Sequence, residues 1–150
     1  MLYCLLAHYA PRVIAMVTIT GVYEGGLHCN AKHGPSGTVI STDAPRDNQG
    51  KGEAFSPTDL VATALATCIV TTMALVARKH GVELDGIRYE VTKEMTASAP
   101  RKIARLVVKL WMPQSAKLLP EGLMQTTAKN CPVHISLASD VEKVIEFNWV

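Results

Sequence analysis

SPTDLVATALATCIVTTMALVARKHG, residues 56–81, carries the start, body and stop of one long helix. Ser56 is a good N-cap, Pro57 suits the first helical position, and Asp59 puts negative charge in the first turn. Arg78, Lys79 and His80 fall in the last turn, and Gly81 is a natural terminator. A helix over 57–80 would be roughly 36 Å long at 1.5 Å per residue. Its middle, from Leu60 and Val61 to Leu75 and Val76, is apolar nearly all round. Such a helix is expected to be buried on most faces and to run through the centre of the fold. Cys68 lies halfway along it.

Working outward toward the N-terminus, Val17, Ile19 and Tyr23 alternate with Thr18 and Thr20, which predicts a first strand. Gly25-Gly26 turns the chain into a second short strand from Leu27 to about Ala31. After the Gly34-Pro35-Ser36-Gly37 turn, residues 38–41 read as a third strand. Residues 43–54, DAPRDNQGKGEA, form a polar loop with little capacity to bury itself. Beyond the helix, Ile87–Thr92 alternates as a half-buried strand. Ile103–Met112 does the same, with Ala104, Leu106, Val108, Leu110 and Met112 on one face. Residues 120–130 show helical spacing, Pro132 opens a short helix through about Ser139, and residues 145–149 close as a strand. The order βββ-α-ββ-αα-β makes an α+β domain over residues 16–150.

The chain has 150 residues, 48% of them hydrophobic and 19% charged, which suits a compact domain and argues against disorder. Fifteen basic and 13 acidic side chains leave a formal charge of +2, so nothing electrostatic points to nucleic acid or to an anionic membrane. The first fifteen residues lack a basic leader region, and His8, Pro11 and Arg12 interrupt their apolar run. They read as a poorly ordered or optional extension, or as a misassigned start before Met16. Residues 60–77 are broken by four threonines and rich in small alanine, which argues against a membrane span.

Four cysteines at positions 4, 29, 68 and 131, with no CxxC spacing, suit a cytosolic chain whose thiols are free. Taken alone, Cys68 reads as a small inert hydrophobe, since burial in mid-helix suppresses the thiolate. Cys131 stands at the expected N-cap of a short helix, where free N–H groups and the dipole favour an anion. Local sequence therefore makes Cys131 the easier thiolate. His28, Cys29, His33, Cys131 and His134 match no usual zinc spacing, and no cofactor fingerprint occurs. Neither a metal nor a cofactor is expected.

Gly52–Leu60 (GEAFSPTDL), Ala64–Cys68 (ALATC) and Asn130–His134 (NCPVH) together resemble the OsmC/Ohr family. That family shows a Glu before an S/N-P helix start, a cysteine about eleven residues beyond the Pro, and a later Cys-Pro-Val. The resemblance covers about residues 16–150. It implies strands wrapped around a long buried central helix, and an intertwined homodimer with active sites at its interface. It also implies a cytoplasmic peroxidase acting on organic hydroperoxides and recharged by an external dithiol. Cys68 would attack the peroxide and become a sulfenic acid, and Cys131 would condense with it to a disulfide. Glu53 would hold an arginine that stabilises the Cys68 thiolate and the departing oxygen. Residues 16–45, where the peroxidases carry that arginine, contain none. Arg46 and His33 are the candidate cations in its place. That departure keeps a second expectation open: an OsmC-fold protein that binds a small molecule or senses redox state, with little peroxidase activity.

Overall fold

The computed structural model describes residues 16–149, so the expected extension over residues 1–15 lies outside the described residues. The chain divides at Ala54–Phe55 into two compact units. In the first, β1 (Ile19–Gly25), β2 (His28–His33) and β3 (Val39–Asp43) form an antiparallel sheet in that order. β2 begins one residue later than alternation predicts because Leu27 has φ 65° and belongs to the turn with Gly25 and Gly26. Apolar side chains stay open on this sheet: Val22 is 65% exposed and Tyr23 62%, and both are adjacent in β1 and so on opposite faces.

The second unit opens with α1 (Pro57–Lys79). The Ser56 hydroxyl accepts the Asp59 N–H at 3.1 Å, and the Asp59 carboxylate accepts the Ser56 N–H at 2.7 Å. This reciprocal cap satisfies two donors that a helix start leaves unpaired. At the other end Gly81 adopts φ 70°. Gly81 N–H then reaches the Arg78 carbonyl, and Val82 N–H the Ala77 carbonyl, which ends the helix cleanly. β4 (Arg88–Met95), β5 (Ile103–Met112) and β6 (Glu142–Trp149) form a second sheet with β5 in the middle. β4 runs antiparallel to β5 and β6 parallel to it, the return being made through α2 (Leu123–Lys129) and α3 (Pro132–Ser136).

The element order is the one the sequence predicts, with two short 3-10 segments added at Arg46–Asn48 and Gln114–Leu118. Pairing along β5 lengthens β4 and β6 beyond their alternating cores. α2 starts only at Leu123, because Leu123 N–H closes a turn on the Pro120 carbonyl with Gly122 at φ 75°. α3 stops at Ser136, where Leu137 turns extended.

Leu106, Val108, Leu110 and Met112 are fully buried on one face of β5, as the alternation requires. They share a core with Leu65, Ile69 and Met73 of α1, with Met124 and Ala128 of α2, and with Cys131. Only six of the 23 residues of α1 are buried, namely Ala62, Leu65, Ala66, Ile69, Met73 and Ala77. Most of the others are half-buried, and α1 is the central helix that the sequence leads one to expect. The three-stranded sheet and two short helices bury one stripe fully, Cys68, Val70 and Val76 pack against the same core in part, and Leu75 is 61% exposed. By length and composition α1 would also reach across a bilayer, yet its buried stripe is spent on the core of this unit.

Leu110→Ala is expected to lower the unfolding free energy by about 2–5 kcal/mol, since it empties a packed site in the middle strand. Leu118→Ala, at an exposed position, is expected to change it by less than about 0.5 kcal/mol. Urea unfolding of the two variants at one protein concentration checks the contrast.

Candidate functional site

Cys68 occupies the middle of α1 beside the buried stripe, between Leu65 and Ile69. It is half-buried, and its Sγ lies 3.9 Å from Thr72 Oγ1, one helical turn on. Two of its threonine hydroxyls pair within the helix: Thr67 donates to the Thr63 carbonyl at 2.8 Å and Thr71 to the Thr67 carbonyl at 2.9 Å.

Cys131 is the N-cap of α3, with Pro132 at the first helical position, as its sequence context predicts. Its Sγ accepts the His134 N–H at 3.3 Å. The side chain is fully buried in the core against which Cys68 packs, and the Cys68 thiol is close enough to act on it electrostatically. The structure thus brings together two thiols that are 63 positions apart in the chain. Cys29, Cys68 and Cys131 are all free thiols.

Burial acts against the favourable helix start at Cys131. Burial pushes its thiol above the usual 9.0, the Cys68 thiol beside it pushes further in the same direction, and the N–H groups of His134 and Val133 only oppose this. A five-residue helix supplies a weak dipole, whereas removal of water penalises the full charge of a thiolate. His134 is held below the usual 6.5, first by burial and then by the charges of Lys143 and Lys129, so its imidazole is neutral at pH 7.

The other sequence-predicted residues belong to the first unit. Glu53 is exposed, and its backbone N–H donates to Asp43 Oδ2 at 2.9 Å. Arg46 Nε donates to the Lys51 carbonyl at 3.1 Å within the same loop. His33 Nδ1 lies 2.6 Å from the Ser36 hydroxyl. Among the described residues no three His, Cys, Asp or Glu side chains gather in a way that would hold a metal ion.

Two polar residues were not singled out by the sequence reading. Lys93 of β4 is only 15% exposed at its side chain. It donates to Asp59 Oδ1 at 2.6 Å, Thr58 Oγ1 at 2.7 Å and Ser56 Oγ at 3.3 Å, tying β4 to the first turn of α1. Burial alone would raise the Asp59 carboxyl, but bonds from Lys93 and Ser56 outweigh it and hold the group below the usual 3.8. The available signal was parity, since Lys93 shares the inward side of β4 with Val91 and Met95. Asp43, at the end of β3, gave no signal apart from its place at a strand end.

The fold and the paired cysteines define a class: an α+β domain with a half-buried thiol on a long helix and a buried thiol capping a short one. A sequence profile of the OsmC-like protein family matches residues 50–146, and the chain belongs to that family. No curated protein sequence matches the chain. Among solved structures it is similar to a protein from Psychrobacter arcticus 273-4, provisionally described as an osmotic stress induced and detoxification response protein. Identity is 38% over 89% of this chain and 97% of that one, with a TM-score of 0.79. It is also similar in fold to an organic hydroperoxide resistance protein OsmC from Legionella pneumophila, at 16% identity over 91% and 99% of the two chains and a TM-score of 0.72. A third likeness is to an organic hydroperoxide resistance protein from Elizabethkingia anophelis, at 12% identity, 93% and 99% coverage and a TM-score of 0.75.

With Cys4, Cys29 and Cys68 replaced by Ser, alkylation of Cys131 by iodoacetamide is expected to rise with pH to a midpoint above 9.0. Burial remains in that variant, so the direction survives the loss of Cys68. A midpoint at or below that of a free cysteine peptide would contradict it.

Proposed function

We propose that this protein is a thiol-dependent peroxidase that reduces organic hydroperoxides in the cytosol. The placing of Cys68 against the core that holds the buried Cys131 carries the reading. The names of the Legionella and Elizabethkingia relatives support it.

The Cys68 thiolate attacks the outer peroxide oxygen, the O–O bond breaks, and the alkoxide leaves to take a proton as the alcohol. Cys68 is then a sulfenic acid. The Cys131 sulfur attacks the Cys68 sulfur, and the sulfenic oxygen leaves as water with the thiol proton. An external dithiol reduces the Cys68–Cys131 disulfide, forming its own disulfide and restoring two thiols. The sum is hydroperoxide plus dithiol giving alcohol, water and disulfide. Full burial shields Cys131 from the incoming peroxide and leaves the first attack to the half-buried Cys68, and Cys131 gives up its proton as it attacks the Cys68 sulfur. Glu53, with Arg46 or His33 as cation, is assigned to steady the thiolate and the departing oxygen. No cofactor or metal enters the scheme.

A second reading, a small-molecule-binding or redox-sensing OsmC-like protein, is favoured by the local engagement of both candidate cations, Arg46 with Lys51 and His33 with Ser36.

Cumene hydroperoxide and mass spectrometry separate the two. Cys68→Ser is expected to abolish peroxide consumption. Cys131→Ser is expected to reduce about one equivalent and stall as a sulfenic acid or overoxidise, since nothing resolves it. Equal, slow consumption by the wild type and both variants would favour the second reading. Loss of the first turnover in Cys131→Ser alone would exchange the roles of the cysteines.

The exposed apolar side chains of Val22, Tyr23 and Leu75 support a homodimer. Light scattering at micromolar concentration is expected to give twice the chain mass, and a monomeric mass would remove the shared site that the resemblance implies.

A further inference from the structure

The loop between β3 and α1 is wound on itself more tightly than its polar composition suggests. The Ala44 carbonyl accepts the Gly52 N–H at 3.2 Å, and the Pro45 carbonyl accepts those of Asn48 and Gly50 at 2.8 and 3.1 Å. Arg46 Nε closes the same loop on the Lys51 carbonyl. Gly50 is packed so closely that a Cβ there would stand 1.7 Å from the Ala44 carbonyl oxygen, and Gly52 has φ +64°. The final closure is made by a side chain: Asp43 Oδ2 accepts the Glu53 N–H at 2.9 Å.

Asp43 is 2% exposed, the most deeply buried carboxylate among the described residues. Burying a carboxylate is costly unless donors meet it. Here the donor is the backbone of Glu53, the residue assigned to the thiolate-stabilising part of the site. A charged acceptor gives a shorter and stronger bond than a neutral one, so it fixes the Glu53 backbone more tightly than loop packing alone.

We infer that Asp43 is a positioning residue for Glu53, holding the backbone from which the Glu53 carboxylate projects. The inference rests on the peroxidase reading for its effect on rate, and on hydrogen bonding alone for its effect on Glu53.

The experiment measures two quantities in the full chain. One is the rate of Cys68 oxidation by cumene hydroperoxide in a single turnover. The other is the behaviour of the Glu53 amide by NMR. In the wild type the Glu53 amide is expected to be protected from exchange by its bond to Asp43, and an unprotected amide would overturn the inference without any variant. Asp43→Ala is expected to slow Cys68 oxidation by roughly tenfold or more and to speed Glu53 amide exchange by a similar factor, because the N–H loses its buried acceptor. Asp43→Asn, whose amide oxygen still accepts, is expected to stay within about threefold of wild type on both counts. In a Glu53→Ala background, Asp43→Ala is expected to cost less than about twofold more, since a residue acting through Glu53 has nothing left to position. Equal cost with and without Glu53, or Asn as slow as Ala, would make Asp43 a general loop brace and end the proposal. A wild type that leaves Cys68 unoxidised would refute the peroxidase reading, and the Glu53 amide would then decide the positioning inference alone.

Discussion

Packing of one stripe of α1 against the inward face of β5 is the constraint on which the second unit depends. Leu65, Ile69 and Met73 meet Leu106, Val108, Leu110 and Met112 in a core without exposed members. Each such side chain contributes about 1.5–3 kcal/mol of burial, so the rotation of α1 about its axis has little freedom. Cys68 sits between Leu65 and Ile69 on that helix, and its direction follows from theirs. Ala128 of α2 and Cys131 enter the same core, which carries the second thiol to the first. The Ser56–Asp59 cap, held from β4 by Lys93, fixes where the helix begins.

Two opposed effects meet at Cys131. The helix start offers it N–H groups, while the core takes away its water and sets another thiol beside it. Desolvation wins because α3 has a single turn and a thiolate carries a full charge. In the proposed chemistry this divides the two cysteines by access: Cys68 is half-buried and open to an incoming peroxide, and Cys131 is fully buried. That division is chemically useful because an exposed resolving thiol would compete for the same oxidant.

α1 buries six of its residues in the core and leaves an apolar side chain, that of Leu75, exposed. The sheet of the first unit does likewise, with large apolar side chains open on both faces. These exposed apolar side chains are the observation behind the proposed homodimer.

Much of this was legible in residue order. Period-two alternation marked Ile103–Met112 as a half-buried strand, and the Ser56, Pro57 and Gly81 signals bounded α1 to within a residue, because these are local steric and hydrogen-bonding preferences. The position of Cys131 at a helix N-cap was legible for the same reason. What the chain order could not contain were quantities set by neighbours distant in sequence. The burial that pushes up the Cys131 thiol, the inward Lys93 clamp on α1 and the closure of Glu53 by Asp43 all arise from groups ten to 63 positions apart. Local preferences are written in adjacent residues, and so the sequence by itself determined the elements, their order and the two candidate thiols. Desolvation and hydrogen bonding between remote groups exist only once those elements pack, and so the tertiary structure alone decided how burial acts on Cys131 and what holds the Glu53 backbone.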